Sequence, residues 1–153
     1  MSWSTAAWLQ PACIFTPETA GQAAKAIRAF KRYGALFAMR GRGHMTISDA
    51  ANIDSSGVLL SSTKLKKISI SRDKAVVSVE PGNRWRDVYG FLEQYGLSAV
   101  GGRDGDVGVP GFLLGGGISY FGEEYGFGSS SDNLHAIEVN PPPKACTQQK
   151  QDH

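Results

Sequence analysis

"CIFTPETAGQAAKAIRAFKRYGALFAMRGRGH", residues 13–44, decides the fold class of this 153-residue chain. Its first three residues form a short apolar run of strand character. A helix follows with its signals in order. Thr19 can cap it, and Gln22 three residues later completes a capping box. Ala20, Ala23, Ala24, Ile27 and Phe30 recur at helical spacing on one face, and Gly34 supplies the stop. The run ALFAMR then reads as a second strand. It empties into the loop RGRGHM, residues 40–45, where two glycines and two arginines lead to a lone histidine.

Working outward, SGVLLSS (residues 56–62) is a third strand, reached through a loop. KKISISRDKAVVSVEPG (66–82) reads as a hairpin. Ile68 and Ile70 alternate, Arg72-Asp73-Lys74 turn, Val77 and Val79 alternate again, and Pro81-Gly82 breaks the pattern. NRWRDVYGFLEQYG (83–96) predicts a second amphipathic helix. Asn83 is its expected cap, Trp85, Val88, Tyr89 and Leu92 share a face, and Gly96 stops it. A glycine-dense stretch follows, then a last expected strand, LHAIEV (134–139). The order of elements implies an α+β fold in two small lobes. Strict βαβ alternation is absent, which argues against a doubly wound sheet. Residues 140–153, with three consecutive prolines and mostly polar neighbours, are expected to be disordered.

Composition excludes several function classes. Sixteen basic against 14 acidic residues leave a formal charge of +2, too little for a nucleic-acid or anionic-membrane footprint. Lys64, Lys66 and Lys67 are expected to coat an exposed turn. No apolar run reaches the roughly 20 residues of a membrane span. The first 15 residues make no ordinary signal peptide, and no compartment is assigned. Two cysteines support neither a disulfide framework nor a metal site, and Cys13 is expected to be a small buried hydrophobe. Tyr120 and Tyr125 are expected to pack.

The 19 glycines gather at 41–43, 101–117 and 122–128, which points to loops that line a ligand with backbone. GRGHMT fails as a dinucleotide fingerprint, since Thr46 replaces the third glycine and no helix should follow. A Walker loop lacks its Gly-Lys-Ser/Thr, and the three histidines do not converge as metal ligands. A polar turn and an anion cradle both remain open for residues 40–45. GVPGFLLGGGIS, with glycines on both sides of one helical turn, favours an anion, and two such loops would suit a pyrophosphate.

At this point six segments carry a resemblance. PACIFTPETA, MRGRGH, ANIDSSGVLLSS, VEPGNRWRDVY, VGGRDGDVGVPGFLLGGGISYFGEEYGF and DNLHAIEV occur in family order. Together they are similar to the PCMH-type FAD-binding domain of the vanillyl-alcohol oxidase and berberine-bridge-enzyme-like oxidoreductases, above all those of fungal secondary metabolism.

The resemblance implies a two-lobed FAD-binding domain over residues 1–139, with 140–153 a non-family tail. It implies that Arg40, Gly41, Arg42, Gly43, His44 and Met45 wrap FAD, with His44 bonded to the 8α-methyl of the flavin. Gly101, Gly102, Asp106, Val107, Gly108, Gly111, Leu114, Gly115, Gly116 and Gly117 would line the second loop, and Asn133 and Val139 the adenosine end. Asp104 stands where some relatives carry a second, cysteine tether, so attachment through His44 alone is expected. The implied reaction is hydride removal from a small-molecule C–H to flavin N5, with reoxidation by dioxygen. No catalytic base and no metal ligand is assigned.

Arg42 and Pro110 replace usual glycines, so weak FAD retention is expected, Arg42 either pairing with phosphate or blocking its approach. The chain stops where the family continues into a substrate domain, so a truncated product is expected. Two rivals follow: an inactive remnant, and a small α+β interaction protein that binds no flavin.

Overall fold

A computed structural model of the protein describes residues 2–139. β1 (Cys13–Phe15), α1 (Ala20–Tyr33) and β2 (Leu36–Arg40) follow in the expected order, and β3 (Gly57–Ser61) completes a parallel three-stranded sheet. The strand order is β1-β3-β2, so the last strand in sequence is the central one. Its composition explains the position. A parallel strand covered on both faces is a continuous apolar run, and Leu59 and Leu60 are fully buried.

The α1 signals act as read. Thr19 Oγ1 accepts from the Gln22 amide at 3.1 Å, while Gln22 Oε1 accepts from the Glu18 amide at 2.8 Å, closing the box one residue upstream of its usual partner. Gly34 takes φ 62°, and the Ala35 amide donates to the Phe30 carbonyl at 2.9 Å. That is the helix ending for which glycine is preferred. Of the apolar stripe only Ala23 is buried, and Phe30 meets Phe37 of β2 at 5.1 Å between ring centres. Cys13 is exposed, contrary to expectation, because β1 is an edge strand with all three residues open. Ile14, Leu36 and Met39 on the edge strands are also exposed.

The second lobe joins a hairpin to two helices. β4 (Ile68–Ile70) pairs antiparallel with β5 (Val77–Val79), Ile68 facing Val79 and Ile70 facing Val77. Its turn places Lys74 at φ 60° and is fastened by Asp73, which accepts from the Ser71 hydroxyl at 2.6 Å and the Ala75 amide at 3.1 Å. α2 (Trp85–Glu93) and α3 (Val109–Leu114) bury Trp85, Val88, Leu92 and Val109 against this hairpin. A short α4 (Gly122–Tyr125) follows.

Three further expectations are corrected. Arg84, not Asn83, is the N-cap of α2. The Asn83 side chain turns inward and donates to the Glu80 carbonyl at 2.8 Å, and it is fully buried. The end of α2 is satisfied otherwise: the Asp87 carboxylate accepts from the Arg84 amide at 2.8 Å, and the Trp85 and Arg86 amides donate to the Val107 and Gly105 carbonyls. Residues 134–139 are irregular, not a strand. Alternation alone makes no strand, and among the described residues no neighbour offers a ladder there. Tyr120 and Tyr125 are exposed, not packed inside. The expected disorder of residues 140–153 lies outside the described residues.

The lobes are tied at Ser62. Ser62 is fully buried, with its hydroxyl 3.0 Å from the Pro81 carbonyl and 3.4 Å from that of Arg40. Gly82 lies so close that a Cβ there would stand 2.3 Å from the Ser62 carbonyl oxygen. The end of β2 is thereby held beside the turn that precedes α2.

Candidate cofactor site

This tie positions the first glycine loop. Leaving β2 at Arg40, the chain passes Gly41 and Arg42 and turns at Gly43, whose φ is 73°. The Gly43 carbonyl accepts from the Trp3 amide at 2.7 Å, and the Trp3 indole lies 5.1 Å from the His44 imidazole at 30° between planes. His44 is half-buried and Met45 exposed.

The second loop meets the first directly. A Cβ on Gly41 would stand 3.0 Å from Cγ of Pro110, and one on Gly108 would stand 2.9 Å from both Cβ and Cγ of Arg42. Side chains at those two positions would force the loops apart. Pro110 sits in the first turn of α3, where the helix needs no amide donor, so it costs that helix nothing.

Arg42 stands at the junction with Arg84, Arg86, Asp87 and Asp106. Asp106 Oδ1 receives Arg84 at 2.7 Å and Arg86 at 2.6 Å. Arg42 makes no ion pair among the described residues, and its Nε is buried without an acceptor, as is that of Arg84. Burial pushes the Arg42 guanidinium below its ordinary pKa, and neighbouring Arg84 pushes the same way. Burial also lowers Arg40.

The glycines of the second loop fall into two kinds. Gly101 and Gly102 serve packing: added Cβ atoms would stand 2.2 Å from Trp85 Cε3 and 2.7 Å from Trp85 Cδ1. Tyr89 Oη donates to the Gly102 carbonyl at 2.7 Å. Gly117, at φ 77°, is buried against the Phe112 ring. In contrast, nothing stands within 4 Å of a Cβ on Gly111 or Gly116, and one on Gly115 would meet only α3 backbone. Open space flanks these glycines, while the Gly115 and Gly116 amides are spent on the Gly111 and Leu113 carbonyls. Val107 is half-buried, its carbonyl capping α2, and Leu114 is 80% exposed. Asn133 Nδ2 donates to the Tyr125 and Phe127 carbonyls, which holds residues 125–133 as a turn, and Val139 is exposed.

The structure therefore brings Gly41 and Arg42 of the first loop against Gly108 and Pro110 of the second. Sequence reasoning missed Trp3, for which no local signal exists. It also missed Arg84 and Arg86, whose signal was the basic pair flanking Trp85. Among the described residues no group of His, Cys, Asp and Glu could hold a metal ion, and no helix is long and apolar enough to cross a membrane.

The chain belongs to the FAD binding domain family, which matches residues 11–142, and it is of the PCMH type found in berberine-bridge-like flavoenzymes. Its cofactor is FAD.

The FAD-dependent monooxygenase prx3 of Penicillium roqueforti is 45% identical over 130 residues, covering 84% of this chain and 25% of that protein. The bifunctional solanapyrone synthase of Alternaria solani is 36% identical over 129 residues, covering 84% and 24%. Among solved structures, 6-hydroxy-D-nicotine oxidase of Arthrobacter nicotinovorans superposes with a TM-score of 0.75 at 27% identity, over 84% of this chain and 28% of that one. The chain spans about a quarter of the length of the curated relatives it matches. Its relatives are FAD-dependent oxidoreductases.

Proposed function

We propose that residues 1–139 are the FAD-binding domain of an oxidoreductase that oxidises a small molecule in secondary metabolism, with 140–153 outside that domain. The observation that carries this reading is the contact of Gly41 with Pro110 and of Gly108 with Arg42. It makes one surface of two loops that sequence places far apart. The residues present fit the group: the open space at Gly111 and Gly116, beside an Arg42 guanidinium with no ion pair among the described residues and an Nε lacking an acceptor, suits a pyrophosphate. FAD, when bound, supplies a hydride acceptor at N5 and passes the electrons to dioxygen.

The chain's own residues hold that cofactor. Gly41 and Gly108 keep the loops in contact, and the turn at Gly43 presents His44. The remaining assigned positions from Arg40 to Met45, from Gly101 to Gly117, and Asn133 and Val139 complete the lining. His44 is the attachment point for the flavin 8α-methyl, and Asp104 cannot serve as a second, thioether tether. The names of the relatives support secondary metabolism.

Purified protein incubated with FAD, precipitated with acid and digested should yield flavin on the peptide containing His44. His44→Ala should move all flavin to the supernatant. Free flavin from a flavin-loaded parent protein refutes the attachment, and a parent that retains no FAD refutes the reading.

A further inference from the structure

Arg42 is the residue at the junction whose charge the fold leaves unused. Three guanidinium groups, Arg42, Arg84 and Arg86, stand among two carboxylates, Asp87 and Asp106. Both carboxylates are engaged. Asp106 bridges Arg84 and Arg86 through one oxygen, and Asp87 accepts from the Arg84 amide. The cluster is left with one uncompensated positive charge, and it falls on Arg42.

We propose that Arg42 anchors the pyrophosphate of FAD, replacing by charge the backbone approach that a glycine would give. This rests on the reading of the two loops as a cofactor site. Arg42 buries its Nε with no acceptor while its stem lies along Gly108, and its guanidinium makes no ion pair among the described residues. A buried donor left unpaired destabilises the fold unless a ligand completes it. Burial weakens the guanidinium's hold on its proton, yet the group stays charged far above neutral pH. Its planar fork can give two parallel hydrogen bonds to phosphate oxygens.

Gly108 supplies the matching half of the argument. With any side chain at that position the Arg42 Cβ and Cγ could not lie where they do. Gly108 thus accommodates the stem of Arg42. Arg84 beside it is paired with Asp106, which leaves Arg42 as the guanidinium free to meet a phosphate.

The test is equilibrium binding of three probes to the full chain: FAD, ADP and riboflavin. ADP carries the pyrophosphate without the flavin, and riboflavin the flavin without phosphate. Arg42→Gln should weaken both FAD and ADP about tenfold or more, the usual worth of a charge-assisted bond, and leave riboflavin unchanged. Arg42→Lys should fall between, since it keeps the charge and loses the fork. Thermal melting checks that each variant folds, and the lysine variant stands in if the glutamine variant does not. Arg42→Gln or Arg42→Gly binding FAD and ADP as tightly as the parent, or more tightly, overturns the proposal. A parent that binds no probe overturns the cofactor-site reading itself, a result distinct from the loss of Arg42's role alone.

Discussion

Gly101→Ala and Gly111→Ala, two identical changes ten residues apart in one glycine-rich segment, should have opposite effects. At Gly101 the new methyl would stand 2.2 Å from Cε3 and 2.4 Å from Cζ3 of Trp85, and 2.6 Å from Tyr89 Oη. Carbon atoms prefer roughly 3.5–4.0 Å, so the indole would have to move by more than about 1 Å. It cannot do so freely. Phe112 meets it edge-on at 5.0 Å, and Val88 and Leu92 are fully buried in the same cluster. Overpacking of a closed core costs about 1–3 kcal/mol, and the rigidity of this site argues for the upper end. For a domain of this size that lowers Tm by about 10 °C. At Gly111 the methyl meets nothing within 4 Å, φ is not positive, and the residue lies inside α3. Alanine there should add about 0.5 kcal/mol by helix preference. Circular dichroism melts of the two variants decide the matter, and FAD retention adds a second axis. Gly111→Ala should lose FAD while gaining stability, because its methyl projects from the open face. Equal melting temperatures, or a Gly111 variant as damaged as the Gly101 variant, would refute the division of the glycines into packing and open kinds.

Trp3→Ala should reduce the fraction of flavin attached through His44 while leaving reversible FAD affinity intact, and Trp3→Phe should restore it; mass spectrometry of the reconstituted protein reads both. Ser62→Ala removes the donor to the Pro81 carbonyl from a fully buried site and should cost about 1–2 kcal/mol. The urea midpoint should fall with no change in slope. Asp73, whose carboxyl is held below its ordinary pKa first by the Ser71 hydroxyl and then by the Ala75 amide, should titrate low by NMR. Its contribution to the hairpin turn is present above the ordinary carboxyl range and lost as pH falls through the lowered value. An Asp73 that titrates at or above the ordinary value refutes that account.

The elements legible in sequence are those whose instructions are local. Thr19, Gln22 and Gly34 bracket α1 within one segment, and the β4–β5 register follows from alternation about a polar turn. Residues 134–139 fail for the complementary reason: their alternation is local, but a strand needs a partner that the segment cannot specify. The cap of α2 slipped by one residue because Asn83 found a better use in the buried turn at Glu80. The same limit applied to the site. The clustering of glycines announced loops for a ligand, yet only the packing of Trp85 separates Gly101 and Gly102 from Gly111 and Gly116. That Arg42 rests on Gly108 is a contact between distant segments, which no spacing rule reports.

The place of β3 between β1 and β2 has a consequence for how the chain acquires its shape. β1 and β2 have no hydrogen bonds to each other, and both find their partner only when residues 57–61 enter the sheet. During synthesis the first strand–helix–strand segment would therefore wait with two unpaired edges until Leu59 and Leu60 have left the ribosome. Pairing across that separation, Cys13 with Val58, carries the loop-closure entropy that slows folding. A helix can hold its own hydrogen bonds through that interval, and the strands cannot. The exposed Ile14, Leu36 and Met39 then mark where the nascent chain is most open to mispairing with another copy.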